Sequence, residues 1–321
     1  MKNRLIQPDF IKGLCIILMV YGHINCIGSL ASIQNEIISI IYSFHMPLFL
    51  IISGFFFKLS KTPSNQISNI FKNVGIPYIL FISIYLLGLV LVQKMNIPTS
   101  NTAPQSLIEF LERIFLHPIG GYWFLHSLLL MTISLISSHL ILKKYNSDFL
   151  VLLSSLIILG ALTYYDLILP RTIIYYLSGY ILGIITTRDL KTSSIFIPLS
   201  LFFIFLLYLK NLYKVEFYEF IWVFLLMTFF WSTATLFEKT FLIKKISWLG
   251  KNTLIILVLH SFPIVVLKSI SKYFLKMDST GLSYSLVVTF LTLLFCLVSA
   301  RILDKLNLSK YLFNKNCIYE K

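Results

Sequence analysis

Ten runs of apolar residues, separated by short polar segments, make up most of the chain. An apolar run of about 20 residues can cross the hydrocarbon core of a bilayer as a helix. Lipid offers no hydrogen bonds to the backbone, so such runs must be helical. The pattern predicts an all-α, polytopic membrane helical bundle of about ten transmembrane helices, at 10–29, 36–57, 74–93, 122–142, 148–167, 172–187, 194–209, 217–237, 252–273 and 283–303.

The composition supports a membrane protein. Of 321 residues, 57% are hydrophobic and only 12% are charged, against about 25% charged in a typical soluble domain. No polar stretch is long enough for a separate soluble domain, so residues 1–321 are expected to form a single transmembrane domain. The first apolar run opens with Asp9 and Lys12 and lacks a small-residue cleavage pattern, so no removable signal peptide is expected.

The basic residues predict the orientation of the bundle. With both termini in the cytoplasm, 19 lysines and arginines fall on the cytoplasmic side and 8 on the outer side. This bias is typical of multi-pass proteins of the inner (plasma) membrane and predicts cytoplasmic termini. The net charge of +14 is spread singly over the ends of the apolar runs. It therefore indicates anchoring to membrane lipids and argues against a nucleic-acid partner.

Two further patterns concern loops and metals. The longest outer connection, 94–121, contains a helical repeat of apolar residues at Leu107, Leu111 and Phe115, which predicts a short amphipathic helix at the outer interface. The four cysteines form no CxxC pair, and motifs such as HExxH are absent from the sequence. Neither a disulfide framework nor a metal site is expected.

Candidate chemistry concentrates in the first two predicted helices. Each carries one histidine, His23 and His45, which antiparallel packing would place at nearly the same depth. Lys12 precedes His23 by 11 residues, so the two share a helix face and lie about 16 Å apart along the axis. Ionisable groups at membrane depth are costly and usually functional.

Four sequence blocks carry a resemblance to a known family. They read RLIQPDFIKGLCIILMVYGH, FHMPLFLIISGFFF, YWFLHSLLL and WLGKNTLIILVLH, in that order. Together they resemble the integral membrane acyltransferase 3 family, best known for O-acetylation of cell-envelope sugars, over essentially the whole chain. The resemblance implies a ten-helix core, acyl-CoA supplied from the cytoplasm, with acetyl-CoA the expected donor, and a saccharide acceptor, free or lipid-linked, on the outer side. An oligomer is compatible with it.

The resemblance assigns roles to the two histidines. The family motif of a basic residue followed by histidine maps onto Lys12 and His23. His23 is expected to be the catalytic base that takes a proton from the acceptor hydroxyl; a transient acyl acceptor and a histidine tied to a neighbouring carbonyl are the alternatives. His45 is expected to orient the acceptor or His23. Its alternative is a structural partner for a helix kinked by Pro47, whose missing N–H frees a carbonyl nearby.

Lys12 and Lys72 are the expected donor-binding residues, through the phosphates of CoA. For Lys12 the alternative is an i,i+3 ion pair with Asp9 together with snorkelling to the interface. Family members often carry an Arg-x-x-Arg pair before the third helix. Here the sequence is IFKNVGIPY, with Lys72 alone, so the bidentate phosphate contact of arginine is missing.

The expected acceptor-binding residues are Trp123, Arg171 and His260. His260 lies nine residues after Lys251, near mid-depth, and could instead join His23 and His45. For Trp123 an ordinary interfacial tryptophan is the alternative, and for Arg171 a lipid-headgroup anchor. Gly179 and Gly183 form a GxxxG pattern typical of helix packing.

The sequence therefore predicts a membrane O-acyltransferase, an O-acetyltransferase. The alternative is a proton-coupled transporter or flippase for a glycan or small solute, although no repeated half with interrupted helices is evident. An accessory protein without activity is a third interpretation, because of the missing arginine pair.

Overall fold

The computed structural model describes residues 4–60, 62–95, 101–145, 147–186 and 196–319, which form sixteen α-helices and no strand. In chain order, α1 to α16 are Ile6–Gly22, Ala31–Phe56, Pro63–Ile70, Ile76–Lys94, Leu107–Phe115, Tyr122–Leu142, Asp148–Tyr164, Pro170–Ile185, Phe196–Leu209, Glu216–Leu236, Phe241–Lys251, Thr253–Leu259, Ser261–Leu267, Ser271–Met277, Leu282–Lys305 and Ser309–Phe313.

The predicted helical membrane bundle is confirmed. Among the described residues, five helical stretches are long and apolar enough to cross a membrane, and a bent pair makes a sixth if it is one span. Helices α7 and α9 are apolar but shorter. The number of ten spans and the cytoplasmic termini stay predictions. The predicted sixth and seventh spans extend into 187–195, which lies outside the described residues. The qualifying stretches are Ala31–Phe56, Pro63–Lys94, Tyr122–Tyr145, Phe217–Leu236, Leu282–Lys305 and the pair Thr253–Leu259 with Ser261–Met277.

Helix α1 is shorter than the predicted 10–29. It ends at Gly22, and His23 caps its C-terminus instead of lying inside a helix. The loop that follows interlocks with the loop before α15 through two glycines with positive φ, Gly28 (+83°) and Gly281 (+75°). A Cβ on Gly281 would lie 1.9 Å from the carbonyl oxygen of Ile27, so only glycine fits there. This interlock fixes the segment that carries His23.

The third predicted span, 74–93, is part of a longer helical stretch, Pro63–Lys94, that contains a wider π-turn at Phe71–Gly75. The turn directly precedes Pro77, in the first turn of α4. Proline has no N–H and its ring clashes with the carbonyl four residues earlier, which a wider turn relieves. Lys72 lies in this π-turn and is exposed.

A glycine seam joins α2 to α8. A Cβ on Gly54 would lie 2.0 Å from the carbonyl oxygen of Tyr176, and one on Gly179 would lie 2.0 Å from that of Ile51. The backbones therefore touch, which confirms the packing role predicted for the GxxxG pattern. The seam holds α8 against α2, and with it Arg171 in the first turn of α8.

The predicted span 252–273 corresponds to two helices joined by a bend. It is bent by 47° between Thr253–Leu259 and Ser261–Met277, and His260 is the residue at the break. Pro263, in the first turn of α13, cannot donate to the carbonyl of Leu259, which removes a hydrogen bond at the break.

The amphipathic helix predicted in the outer connection is present as α5. Ser106 caps it by accepting a hydrogen bond from the Glu109 N–H. His126 of α6 contacts the carbonyl oxygen of Phe115 through Nε2 at 2.9 Å and ties the end of α5 to the bundle. His126 therefore has a structural role.

Candidate active site

A cavity of about 380 Å³ opens at the end of the bundle where α1 ends and α6, α8 and α10 begin. The charge bias predicts that this is the outer end. Four of the residues expected from the sequence to act in catalysis or acceptor binding line it together. Its lining is Met19, His23, Tyr42, His45, Met46, Pro47, Leu50, Gly121, Trp123, Arg171, Thr172, Tyr175 and Glu219.

Both histidines at the cavity make the same contact, from Nδ1 to the backbone carbonyl four residues earlier. Nδ1 of His23 lies 2.8 Å from the carbonyl oxygen of Met19, and Nδ1 of His45 lies 2.7 Å from that of Ile41. A carbonyl oxygen only accepts hydrogen bonds, so in each neutral ring Nδ1 carries the hydrogen and donates it. Nε2 is then the nitrogen with a free lone pair, as a general base requires.

Tyr42 links the two histidines. Its ring centroid is 6.1 Å from that of His23 and 5.3 Å from that of His45. Its hydroxyl donates to the carbonyl oxygen of Gly22 at 2.7 Å. The prediction that His23 and His45 lie at nearly the same depth agrees with this geometry, with a tyrosine between them that the sequence pattern did not single out.

Helix α2 continues through Pro47 from Ala31 to Phe56. The carbonyl that Pro47 leaves without a helical donor belongs to Ser43. His45 bonds to the carbonyl of Ile41 instead, so in the structure the carbonyl freed by Pro47 is not the partner of this imidazole. The orienting role of His45 stays a prediction.

His260 is buried directly behind His23. The two ring centroids are 5.0 Å apart and the ring planes are inclined by 74°. Nδ1 of His260 is 2.8 Å from the carbonyl oxygen of Leu257. Gly121 leaves room for the ring, because a Cβ there would lie 2.9 Å from Cε1 of His260. His260 is thus placed to support His23. This agrees with the alternative that His260 joins the two histidines, and the acceptor-binding role stays a prediction.

Besides Tyr42, the sequence did not single out Glu219 and Tyr175 at the cavity. Glu219, in the first turns of α10, places a half-buried carboxylate at the cavity. The hydroxyl of Tyr175 donates to Glu219 Oε1 at 3.2 Å. The only signal for Glu219 was a pair of carboxylates, Glu216 and Glu219, at the start of an apolar run, and such residues are usually interfacial.

Comparison with known proteins assigns the chain to a family. The sequence model of a family described as "Acyltransferase domain" matches residues 5–301. The chain belongs to this family. The resemblance inferred from the four sequence blocks is therefore confirmed, and the cavity lies within the region that the family model matches.

A further relative is similar over a short segment. The chain is 45% identical over 58 residues to the nodulation protein NolL of Sinorhizobium fredii (strain NBRC 101917 / NGR234), which covers 17% of the chain and 16% of that relative's length. No solved structure matches the chain.

The expected donor-binding residues, Lys12 and Lys72, do not line the cavity. Lys12 Nζ is 3.6 Å from Asp9 Oδ1, and Arg4 Nε donates to Asp9 Oδ2 at 2.6 Å. The ion pair considered as the alternative for Lys12 is therefore present. Lys12 and His23 lie on one face of α1, and Ile16 and Met19 lie between them on that face. These two side chains are 0% and 1% exposed. The face between Lys12 and His23 is packed with side chains, so it is not an open path for a pantetheine arm.

A second basic site lies near the N-terminus of α1. A cavity of about 410 Å³ there is lined by Arg4, Leu5, Ile6, Gln7, Glu238, Lys239 and Lys244. Three cationic side chains suit the phosphates of CoA, although Glu238 opposes them. The sequence analysis had assigned these residues to membrane anchoring.

No group of three His, Cys, Asp or Glu side chains within the described ranges is arranged to hold a metal ion. The four cysteines are free thiols, two of them buried.

Proposed function

We propose that this acyltransferase is an O-acetyltransferase of the inner (plasma) membrane. In the proposal it moves an acetyl group from cytoplasmic acetyl-CoA to a hydroxyl of a cell-surface or lipid-linked saccharide. The observation that carries the proposal is the cavity of a family member at which His23, His45, Trp123 and Arg171 meet.

His23 supplies the base. Its Nδ1 hydrogen is held by the Met19 carbonyl, so Nε2 takes the proton as the acceptor oxygen attacks the thioester carbonyl. A C–O bond forms, the C–S bond breaks, and the protonated imidazole returns its proton to the departing thiolate. A positioned general base contributes about 10²- to 10⁴-fold to the rate. His45 and Tyr42 complete the wall against which the hydroxyl is oriented.

The acceptor side is supported by an aromatic and two charged side chains. Trp123 offers an apolar face to a sugar ring, and tryptophan combines such a face with a polar edge. Arg171 and Glu219 supply donors and acceptors for sugar hydroxyls at the same cavity.

The donor side is proposed at the opposite end of α1. Lys12 and Lys72, with the basic cavity around Arg4, would hold the phosphates of acyl-CoA. Because Ile16 and Met19 are buried on the face between Lys12 and His23, both side chains have to move for a thioester to reach His23. The separation of about 16 Å along the helix axis is on the scale of an extended pantetheine arm.

The proposal is tested in inverted membrane vesicles with radiolabelled acetyl-CoA supplied at the cytoplasmic face. Vesicles that contain the protein should transfer label to a saccharide fraction, and vesicles from cells that lack it should not. Uptake of a glycan by sealed vesicles without acyl-CoA, with no label transferred, would instead favour the carrier and contradict the proposal.

A further inference from the structure

A second, larger cavity adjoins the histidine cavity. This lateral groove, of about 620 Å³, lies between the first turns of α8 and the first turns of α10. Three residues, Arg171, Tyr175 and Glu219, line both cavities. The remaining walls of the groove are apolar: Leu169, Pro170, Ile174, Phe217 and Phe220.

The groove opens toward the outside of the bundle. Leu169, Ile174 and Phe217 are 51%, 55% and 73% exposed. In a membrane bundle such apolar side chains face hydrocarbon. The groove is therefore open to lipid on one side and joins the histidine cavity on the other.

Tyr175 marks the boundary between the two cavities. Its ring stacks on Phe220 in the groove, with centroids 5.8 Å apart and an interplanar angle of 20°. Its hydroxyl donates to Glu219, a residue that also lines the histidine cavity. The lining therefore changes from apolar in the groove to polar at the histidine cavity across the single side chain of Tyr175. A ligand with a hydrocarbon tail and a polar head fits such a change.

We propose that the acceptor is a saccharide carried on a hydrocarbon chain. Its chain lies in the lateral groove, and its sugar passes the Tyr175–Glu219 pair to reach His23. The proposal rests on the proposed acyl transfer and adds the class of acceptor. A long acyl chain of the donor is a less suitable occupant, because the basic residues expected to hold CoA lie at the other end of α1.

The test compares acceptor glycans that are still attached to lipid with the same glycans after release from the lipid. Purified protein in phosphatidylcholine nanodiscs receives radiolabelled acetyl-CoA and either a membrane lipid extract of the native cells or the same extract after mild acid has released the glycans. Ile174→Trp and Leu169→Trp narrow the groove. Ile181→Trp, on the same helix and also exposed at 39%, lies outside the groove and serves as the matched control.

The wild type and Ile181→Trp are expected to acetylate the intact extract at least about tenfold faster than the released glycans. The two groove variants should raise the KM for the intact extract about tenfold, the effect of losing contact with about two methylene groups. They should leave the KM for acetyl-CoA and the rate on released glycans unchanged.

Equal rates on intact and released glycans, or unchanged KM values in both groove variants, would overturn the lipid-chain assignment while acyl transfer itself stands. So would a shift in preference among acyl-CoA chain lengths in the groove variants, which would place the donor chain there. Loss of label transfer to every saccharide fraction, including exported polysaccharide, would overturn the proposed function as well.

Discussion

The imidazole of His260 packs edge-on against that of His23, with ring centroids 5.0 Å apart. The same imidazole lies close to Gly121, where an added Cβ would be 2.9 Å from Cε1 of His260. His23 is therefore held by a second histidine that lies at the break between α12 and α13. This contact makes His260 a positioning residue and Gly121 its support.

Gly121→Ala is expected to lower kcat about tenfold, because the added methyl displaces His260, which contacts His23, and so misplaces the base by a fraction of an ångström. The KM for acetyl-CoA should change little, because the donor is proposed to bind at the other end of α1. The measurement is steady-state acetyl transfer over a range of pH, in which a displaced base also alters the pH profile.

Gly88→Ala is the matched control, since nothing lies within 4 Å of a Cβ built at Gly88 in helix α4. A Gly121→Ala protein with wild-type kcat and pH profile would show that the contact between His260 and His23 does not position the base.

Lys12→Ala is expected to raise the KM for acetyl-CoA about tenfold, with kcat nearly unchanged, because one cation near the CoA phosphates is lost. Lys12→Arg should retain most of the affinity. Asp9 keeps its ion pair with Arg4 in either variant. The control is Lys305→Ala, an exposed lysine at the end of α15. If Lys12→Ala and Lys305→Ala have the same KM, Lys12 is an anchor and not a donor-binding residue.

Gly179→Ala is expected to destabilise the bundle by about 1–3 kcal/mol, as overpacking does. Its Cβ would lie 2.0 Å from the carbonyl oxygen of Ile51, and backbone cannot yield as a flexible side chain does. The thermal unfolding midpoint in one detergent measures the effect. Gly160→Ala, with nothing within 4 Å, should keep the wild-type midpoint. Equal midpoints for the two variants would contradict a close-packed seam.

Asp278, in the loop before α15, gives a pH-dependent prediction. Hydrogen bonds from the Thr280 hydroxyl, above all, and from the Ser283 backbone hold the pKa of its carboxyl below the ordinary value of 3.8. Because the folded pKa is depressed, its contribution to stability is present above pH of about 4 and is lost as the pH falls through the folded pKa.

The stability difference between the wild type and Asp278→Asn should therefore be constant from neutral pH down to about pH 4 and then shrink in stronger acid. Unfolding midpoints measured from pH 7 to pH 2.5 check this. A difference that grows toward low pH would contradict the sign. Asp278 lies in the loop that interlocks with Gly28, so the charge also supports the segment carrying His23.

Much of the fold follows from local signals. The apolar runs locate α2, α6, α10 and α15 within a few residues, and the amphipathic repeat locates α5, because hydrophobic periodicity and length depend on neighbouring residues alone. The end of α1 at Gly22 could not be predicted from such local signals. It depends on an interlock between Gly28 and Gly281, more than 250 residues apart in the chain.

Part of the site was also predictable from local sequence. His23 and His45 lie on consecutive helices, so spacing alone suggested their proximity. The sequence left open that His260 joins His23 and His45. It could not establish the contact, because that contact depends on a 47° bend and on which helices pack together. Glu219 was missed because a carboxylate at a helix start resembles any interfacial residue until the fold brings it beside Tyr175.

The most direct test of the account compares His23→Gln with His139→Gln in acetyl transfer from radiolabelled acetyl-CoA to saccharide, at equal amounts of folded protein. His139, near the other end of α6, does not line the cavity. The account predicts a fall in kcat of about 10²- to 10⁴-fold for His23→Gln and a rate within about twofold of wild type for His139→Gln. A folded His23→Gln protein that transfers acetyl at the wild-type rate would contradict it.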